Sequence, residues 1–289
     1  MGEQAHSTIY AGLRYLGFGS RQLIKIKTDQ QGRMDIADLE QKFLAAEGPK
    51  IIICQAGHIN SGAFDPFEEI VALAKQQKAW VHVDGAFGLW ARAVPEKSHL
   101  CKGLEDCDSW SVDGHKWLQV PYDSGFAIVR NSVAHRRAMD ISASYLVTTE
   151  DDGRSPSQYV PELSRRAKGF AVWAVLQALG KKGIAEMVSR HCSCATHLQK
   201  LLTDEEGIHV LNDVVLNQLA IAFGDPEDSD SYTVQVIEAI QQENTVYVNG
   251  ANWQEREIMR ISVISRETSL ADIELLAESI IRAWRLVKK

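Results

Sequence analysis

Two side chains in this sequence, Asp84 and Lys116, stand where chemistry could be done. Asp84 closes the apolar run Trp80-Val81-His82-Val83, and Gly85 and Ala86 follow it at once. A carboxylate at the end of a buried strand, with small residues behind it, can face a cationic nitrogen on a ligand, because in open parallel sheets ligands sit beyond the carboxyl ends of the strands. Lys116 lies 32 residues further on, in Asp108-Ser109-Trp110-Ser111-Val112-Asp113-Gly114-His115-Lys116-Trp117. Flanked by Trp117 and Leu118, its amine has a partly apolar setting, and an amine stripped of water becomes a nucleophile. Taken singly, each residue also has a plain reading: a turn aspartate and a solvated lysine.

Taken together, the two segments resemble the pyridoxal-phosphate-dependent group II amino-acid decarboxylases, which include the aromatic-amino-acid, glutamate and diaminobutyrate enzymes. The resemblance rests on His-Val-Asp-(small)-Ala at residues 82–86 and Ser-x-x-x-His-Lys-Trp at residues 111–117. Gln4-Ala5-His6-Ser7, Gly62-Ala63-Phe64-Asp65 and Ser164-Arg165-Arg166 extend it over essentially the whole chain. It implies an aspartate aminotransferase-like fold of type I and the cofactor pyridoxal 5′-phosphate. Lys116 is then the lysine that holds the cofactor as a Schiff base, and Asp84 the carboxylate that pairs with the pyridinium nitrogen and makes the ring an electron sink. Ala86 lies against the ring. His6 stacks on its other face and, as an imidazole, could move protons. Ser111 and His115 fall near the cofactor phosphate, and His58 and Asn60 near the ring substituents.

The activity implied is loss of CO2 from an amino acid to leave its amine, with a rigid pocket setting the carboxylate perpendicular to the ring. Some relatives carry a catalytic tyrosine in a loop lent to the neighbouring subunit. Here Ser155 is closer to that register and Tyr159 is shifted, which leaves three readings: Tyr159 protonates the carbanion in its place, a histidine does, or protonation is inefficient. Arg260 could bind a substrate carboxylate, as an arginine of this region does in related aminotransferases, or could make a structural ion pair. The family also has an N-terminal stretch, roughly a third of its full length, with a glycine- and serine-rich loop that holds the phosphate at a helix N-terminus. The sequence contains no such loop, and a partial representative of the family is expected. An aminotransferase or another lyase with the same Asp/Lys pair is the second enzymatic reading. An inactive, truncated relative that dimerises with a complete partner is the non-enzymatic one.

The elements that must position these residues alternate in the manner of an α/β protein. Apolar residues at helical spacing predict helices over 6–17, 35–47 and 67–77. Strands are expected over 23–27, 50–56, 80–83, 110–112 and 125–129. A polar stretch, 148–161, with Asp151-Asp152-Gly153 and two prolines, reads as a mobile loop. Helices follow over 166–179 and 183–203, strands over 216–223 and 259–264, and a closing helix over 268–289 capped by Ser269. The expected architecture is a mostly parallel sheet with helices on both faces, the incomplete cofactor-binding large domain, over 1–145. A smaller α+β domain follows over 146–289.

The composition narrows the partners. The 289 residues carry a net charge of −7, the wrong sign for gripping nucleic acid by its phosphates or for adhering to anionic lipid. No apolar run approaches the ~20 residues that span a bilayer. Five cysteines in a chain of this size read as free thiols of a reducing compartment, and the protein is expected in the cytoplasm, as a homodimer, with a small amino-acid substrate. His191-Cys192-Ser193-Cys194-Ala195-Thr196-His197 invites a metal reading. On a helix, though, positions three apart drift by about 60° per step, and the spacing matches no zinc pattern. No metal is expected.

Overall fold

The computed structural model describes residues 1–141 and 155–289. Its first half is a sheet in the order β1 (Ile51–Gln55), β2 (Trp80–Asp84), β3 (Ser109–Asp113), β4 (Gly125–Val129). β1, β2 and β3 run parallel, and β4 turns back antiparallel to β3. Parallel neighbours need a crossover. Helix α3 (Phe67–Gln76) makes the first one, and 3₁₀ segments at Gly88–Ala93 and Pro95–Cys101 lie along the second. The register aligns Gln55 with Asp84 and Asp84 with Ser111. The carboxyl ends of three strands thus form one row.

The segments leaving that row are fastened to one another. Ala56 N–H donates to the Asp84 carbonyl at 2.8 Å, Gly85 N–H to the Ser111 carbonyl at 2.9 Å, and Asp113 N–H to the Ala86 carbonyl at 2.8 Å. Gly88 packs so closely on the exit of β1 that a Cβ there would lie 2.0 Å from the Ala56 carbonyl oxygen. Only glycine fits such a backbone approach.

Helix α1 (Ser7–Tyr15) is capped by His6, and α2 (Ile36–Ala45) by Asp35, whose side chain accepts from Asp38 N–H. α2 buries Leu39 and Phe43 as its spacing predicts. α1 buries none of its residues, and Leu16 is exposed. The expected strand over 23–27 does not form. The alternation is present, but a ladder requires a bonded partner along its length. An isolated bridge between Gly2 and Ile26, with the neighbouring bonds from Ile26 N–H to Met1 and from Glu3 N–H to Ile26, is made here, while Lys27 accepts from Asp35 N–H and donates to the Asp38 carboxylate.

The helices expected over 166–179 and 183–203 join into α5 (Gly169–Thr203), whose backbone breaks at Gly180 with φ 61° and ψ 179°. α4 (Ser132–Met139) precedes the polar stretch, of which residues 148–154 lie outside the described residues. The second half is an antiparallel sheet in the order β5 (Ile208–Val210), β6 (Gln218–Phe223), β8 (Arg256–Ser262), β7 (Asn249–Trp253). It packs with α6 (Ser229–Glu243) and α7 (Leu270–Val287). Ser269 caps α7, its N–H and hydroxyl both donating to Asp272.

Two cores result. One gathers Ile52, Cys54, Val81 and Val83 of the parallel strands with Phe43, Ile70 and Trp117. The other gathers Leu219, Ile221, Met259 and Ile280. α5 serves both: Val188 and Cys192 belong to the first, Cys194 and Leu198 to the second. The α/β class expected from the alternation is the one observed, with a parallel-rich sheet followed by an antiparallel one.

Candidate active site

Asp84 stands at the end of β2 because the strand alternates buried and half-buried positions and its last residue falls on the half-buried side. Its Oδ1 accepts the Ala86 N–H at 3.2 Å, an Asx turn that aims the carboxylate back over the strand end. Among the described residues no lysine, arginine or histidine pairs with it in an ion pair. Gly85 is required behind it, since a Cβ at that position would lie 2.8 Å from Leu89 Cβ. Ala86 packs against the first core. Ser111 is the register partner of Asp84 on β3.

Lys116 follows β3 on a turn closed by four backbone bonds: Gly114 N–H and His115 N–H to the Ser124 carbonyl, Gln119 N–H to Lys116, and Val120 N–H to Gly114. Its Nζ lies 3.1 Å from Asp113 Oδ2 and 6.0 Å from the ring centre of Phe87, three residues past Asp84. The exits of β2 and β3 therefore bring the carboxylate and the amine to one end of the sheet. His115, on the same turn, has Nδ1 2.7 Å from the Ser124 carbonyl oxygen and 3.2 Å from the Ser124 nitrogen, and holds its Nε2 3.6 Å from Asp113 Oδ2, with its ring against Tyr122. Asp113 thus faces both basic side chains of the turn. Its place three residues before Lys116 is the only local sign of this role in the sequence.

Trp117 is fully buried and donates its indole N–H to Nδ1 of His191 on α5 at 2.9 Å. Nothing in the sequence near either residue announces this pair, 74 positions apart.

The remaining candidates form other groups. His58 is buried in the loop after β1, where its Nδ1 accepts the N–H groups of Asn60 and Ser61, both at 3.3 Å. Its ring lies 5.9 Å from that of Trp253 on β7 and against Gly32, where a Cβ would come within 2.9 Å. Burial pushes its pKa down to about 4, against a weaker upward pull from Asp29. Asn60 is buried beside it. The loop carrying both is packed on the Asp84 exit, since a Cβ on Gly57 would meet Phe87 at 2.8 Å.

Arg260, on β8, donates from Nη1 to the Ile59 carbonyl and to Ser262 Oγ, each at 3.3 Å. It joins no carboxylate among the described residues, so the structural ion pair expected as one alternative is replaced by bonds to neutral acceptors. Burial lowers its pKa. His6 is turned to its own helix, with Nδ1 2.7 Å from Thr8 Oγ1. Tyr159 stands edge-on to His135 with ring centres 5.3 Å apart, and its carbonyl is 3.0 Å from His135 Nε2. The structure thus assembles Asp84, Ala86, Ser111, His115 and Lys116. It sets His58, Asn60 and Arg260 in an adjoining loop region, and gives His6 and Tyr159 partners of their own. His191 and His197, the ends of the suspected metal motif, point to different partners, Trp117 and Glu274.

Residues 1–223 match the family model described as the pyridoxal-dependent decarboxylase conserved domain. The aromatic-L-amino-acid decarboxylase of Bacillus atrophaeus is 23% identical over 297 residues, covering 96% of this chain and 62% of that protein. The enzyme of the same name from Drosophila lebanonensis is 26% identical, covering 94% of this chain and 67% of its own length. Among solved structures, mouse CSAD superposes with a TM-score of 0.89 at 21% identity, covering 98% of this chain and 63% of that one. Oryza sativa TDC with PLP and tryptamine gives 0.87 at 23% identity, covering 99% and 61%. The chain spans about three fifths of the length of most of these proteins.

Proposed function

Because the chain belongs to the pyridoxal-dependent decarboxylase family, we propose that Asp84 and Lys116 hold pyridoxal 5′-phosphate between them and that the protein removes the α-carboxylate of an amino acid to release its amine. The observation that carries this reading is the register of the parallel sheet, which sets Asp84 beside Ser111 and delivers Lys116 from the next turn to the same end. The donor set fits the group: a carboxylate with no protein cation in an ion pair with it for the ring nitrogen, and an amine for the aldehyde carbon. The chemistry supplied by the cofactor when bound is an electron sink for the pair left behind as CO2 departs.

The chain's own residues do the rest. Asp84 keeps a proton on the ring nitrogen. Lys116 carries the cofactor and is held ready by Asp113. Ala86 presents a small face to the ring. Ser111 and His115 serve the phosphate end. His6, His58 and Asn60 complete the surroundings of the ring, Tyr159 supplies the proton to the product carbon, and Arg260 meets the substrate. The names of the relatives put aromatic amino acids first among substrates to try. The working form proposed is a cytoplasmic homodimer. This is supported by five free, buried cysteines and by exposed Phe170 and Trp173 on α5, and among the described residues no helix is long and apolar enough to cross a membrane.

The test is direct. The protein is mixed with pyridoxal 5′-phosphate, reduced with borohydride and digested, and the modified lysine is located by mass spectrometry. In parallel, CO2 and amine release are measured over an amino-acid panel. The expected result is a label on Lys116 that Lys116→Ala removes, with amine formed in step with CO2. Labelling spread over surface lysines, unaffected by that substitution, ends the reading.

A further inference from the structure

The loop that carries Lys116 is held from the far side of the first core by a residue remote in sequence. Trp117 is fully enclosed, with the Phe87 ring 6.4 Å away and the His191 ring 6.3 Å away, the latter nearly coplanar at 13°. Its one polar atom, Nε1, donates to His191 Nδ1. His191 is itself fully buried, and because its Nδ1 accepts the indole N–H, the proton of the neutral ring is assigned to Nε2. Nε2 is buried and makes no hydrogen bond among the described residues. A buried donor without a good acceptor is an expense that leucine or phenylalanine would avoid while filling the same space. Packing alone does not account for a histidine here.

The neighbouring contacts close the same structure. Gln119, at the end of the Lys116 turn, donates to the Ile264 carbonyl, and Arg190, beside His191, donates to the Arg266 carbonyl. The turn, α5 and the segment after β8 are thus tied in a ring of three contacts.

We propose that His191 is a positioning residue for Lys116: by accepting the indole N–H of Trp117 it pins the turn on which the lysine stands. This rests on the reading of Lys116 as the amine that carries the cofactor. His191 touches neither the amine nor any reacting atom; it acts through Trp117. A carbonyl-type acceptor at the same place does the same work, and an apolar side chain of similar size does not.

The experiment compares wild type, His191→Leu and His191→Asn. Leucine removes the acceptor, and asparagine returns one near the position of Nδ1. The readout is the rate at which acetic anhydride marks Lys116 in the cofactor-free protein, relative to other lysines in the same digest. It is independent of activity and of cofactor binding, which the borohydride experiment tests separately. His191→Leu is expected to raise the rate about tenfold, in line with loss of one buried hydrogen bond, and His191→Asn to bring it within about twofold of wild type on the same scale. Equal rates in all three proteins, or equal increases in both variants, overturn the proposal. Should His191→Leu not fold, Trp117→Phe decides: it keeps a ring and drops the N–H, so a wild-type rate there overturns the proposal and a raised one upholds it.

Discussion

The ε-nitrogen of Lys116 lies 3.1 Å from Oδ2 of Asp113, across the turn that ends β3, with both side chains about three-tenths exposed. The pair points the amine along the edge of the turn, toward the side where Phe87 and the end of β2 lie. A half-exposed pair of this kind contributes little to folding, about 0.2–1 kcal/mol. Its effect is on where the amine rests.

Asp113→Asn should therefore leave thermal stability nearly unchanged, within about 1 kcal/mol, while roughly doubling or more the anhydride labelling of Lys116 as the amine is released. Unfolding curves and lysine footprinting on the same preparation check both halves. A large loss of stability with unchanged labelling would show that Asp113 serves the fold and not the amine.

Asp84→Asn tests the other end of the site. The amide has nearly the same shape and can still accept the Ala86 N–H, so folding should be preserved. It cannot keep a proton on the ring nitrogen. Cofactor should still label Lys116, but amine release should fall about 100-fold or more, the scale seen when one preorganised electrostatic partner is removed. Activity close to wild type would show that the carboxylate is not the ring's partner.

A third prediction concerns acid. Burial pushes the pKa values of both His58 and His191 down to about 4, with Arg190 adding to the effect at His191. The unfolded chain binds those protons near pH 6.5, so the folded state is favoured in full above pH 6.5. It loses that advantage as pH falls toward 4, by at most about 3 kcal/mol for each histidine. Asp65 works the other way. Its carboxyl is buried and pushed up to about 6, opposed by N–H bonds from Gln55 and Met34, so it favours the folded state as pH falls from about 6 to 3.8. The net expectation is a loss of about 3 kcal/mol between pH 6.5 and 4, read from denaturation midpoints. His58→Asn should flatten the profile. A profile as steep in that variant as in wild type would remove His58 from the account.

Gly88→Ala tests the fastening of the β1 and β2 exits. The new methyl would meet the Ala56 carbonyl oxygen at 2.0 Å and Gly57 N at 2.8 Å, all backbone. Neither partner can swing aside, so the strand exits must shift. The expected loss is large, about 4 kcal/mol or more, and the Lys116 label should weaken with it. A variant as stable as wild type would show that the approach of these backbones is looser than described.

Much of this protein was legible residue by residue. The acid at the end of one apolar run and the amine after the next, the alternation of strands and helices, the Ser269 cap and the break near Gly180 are all local. Side-chain type and periodicity within a dozen residues determine them. What the sequence alone left undecided was whatever depends on a partner from elsewhere in the chain. The stretch 23–27 has a strand's alternation, but its backbone bonds are split between residues 1–3, Asp35 and side chains of α2, so no continuous ladder forms. Arg260 could be read as an ion-pair partner or a substrate group, and in the fold its guanidinium bonds the neutral acceptors Ile59 and Ser262, with no carboxylate beside it among the described residues. His58 is enclosed because Trp253 and Gly32, both distant in sequence, close over it. Asp113 and His191 acquire their meaning only once β3 has turned and α5 has come to lie on the first core. Local pattern specifies what each residue can do; packing of remote segments, which no short window contains, decides what it does it to.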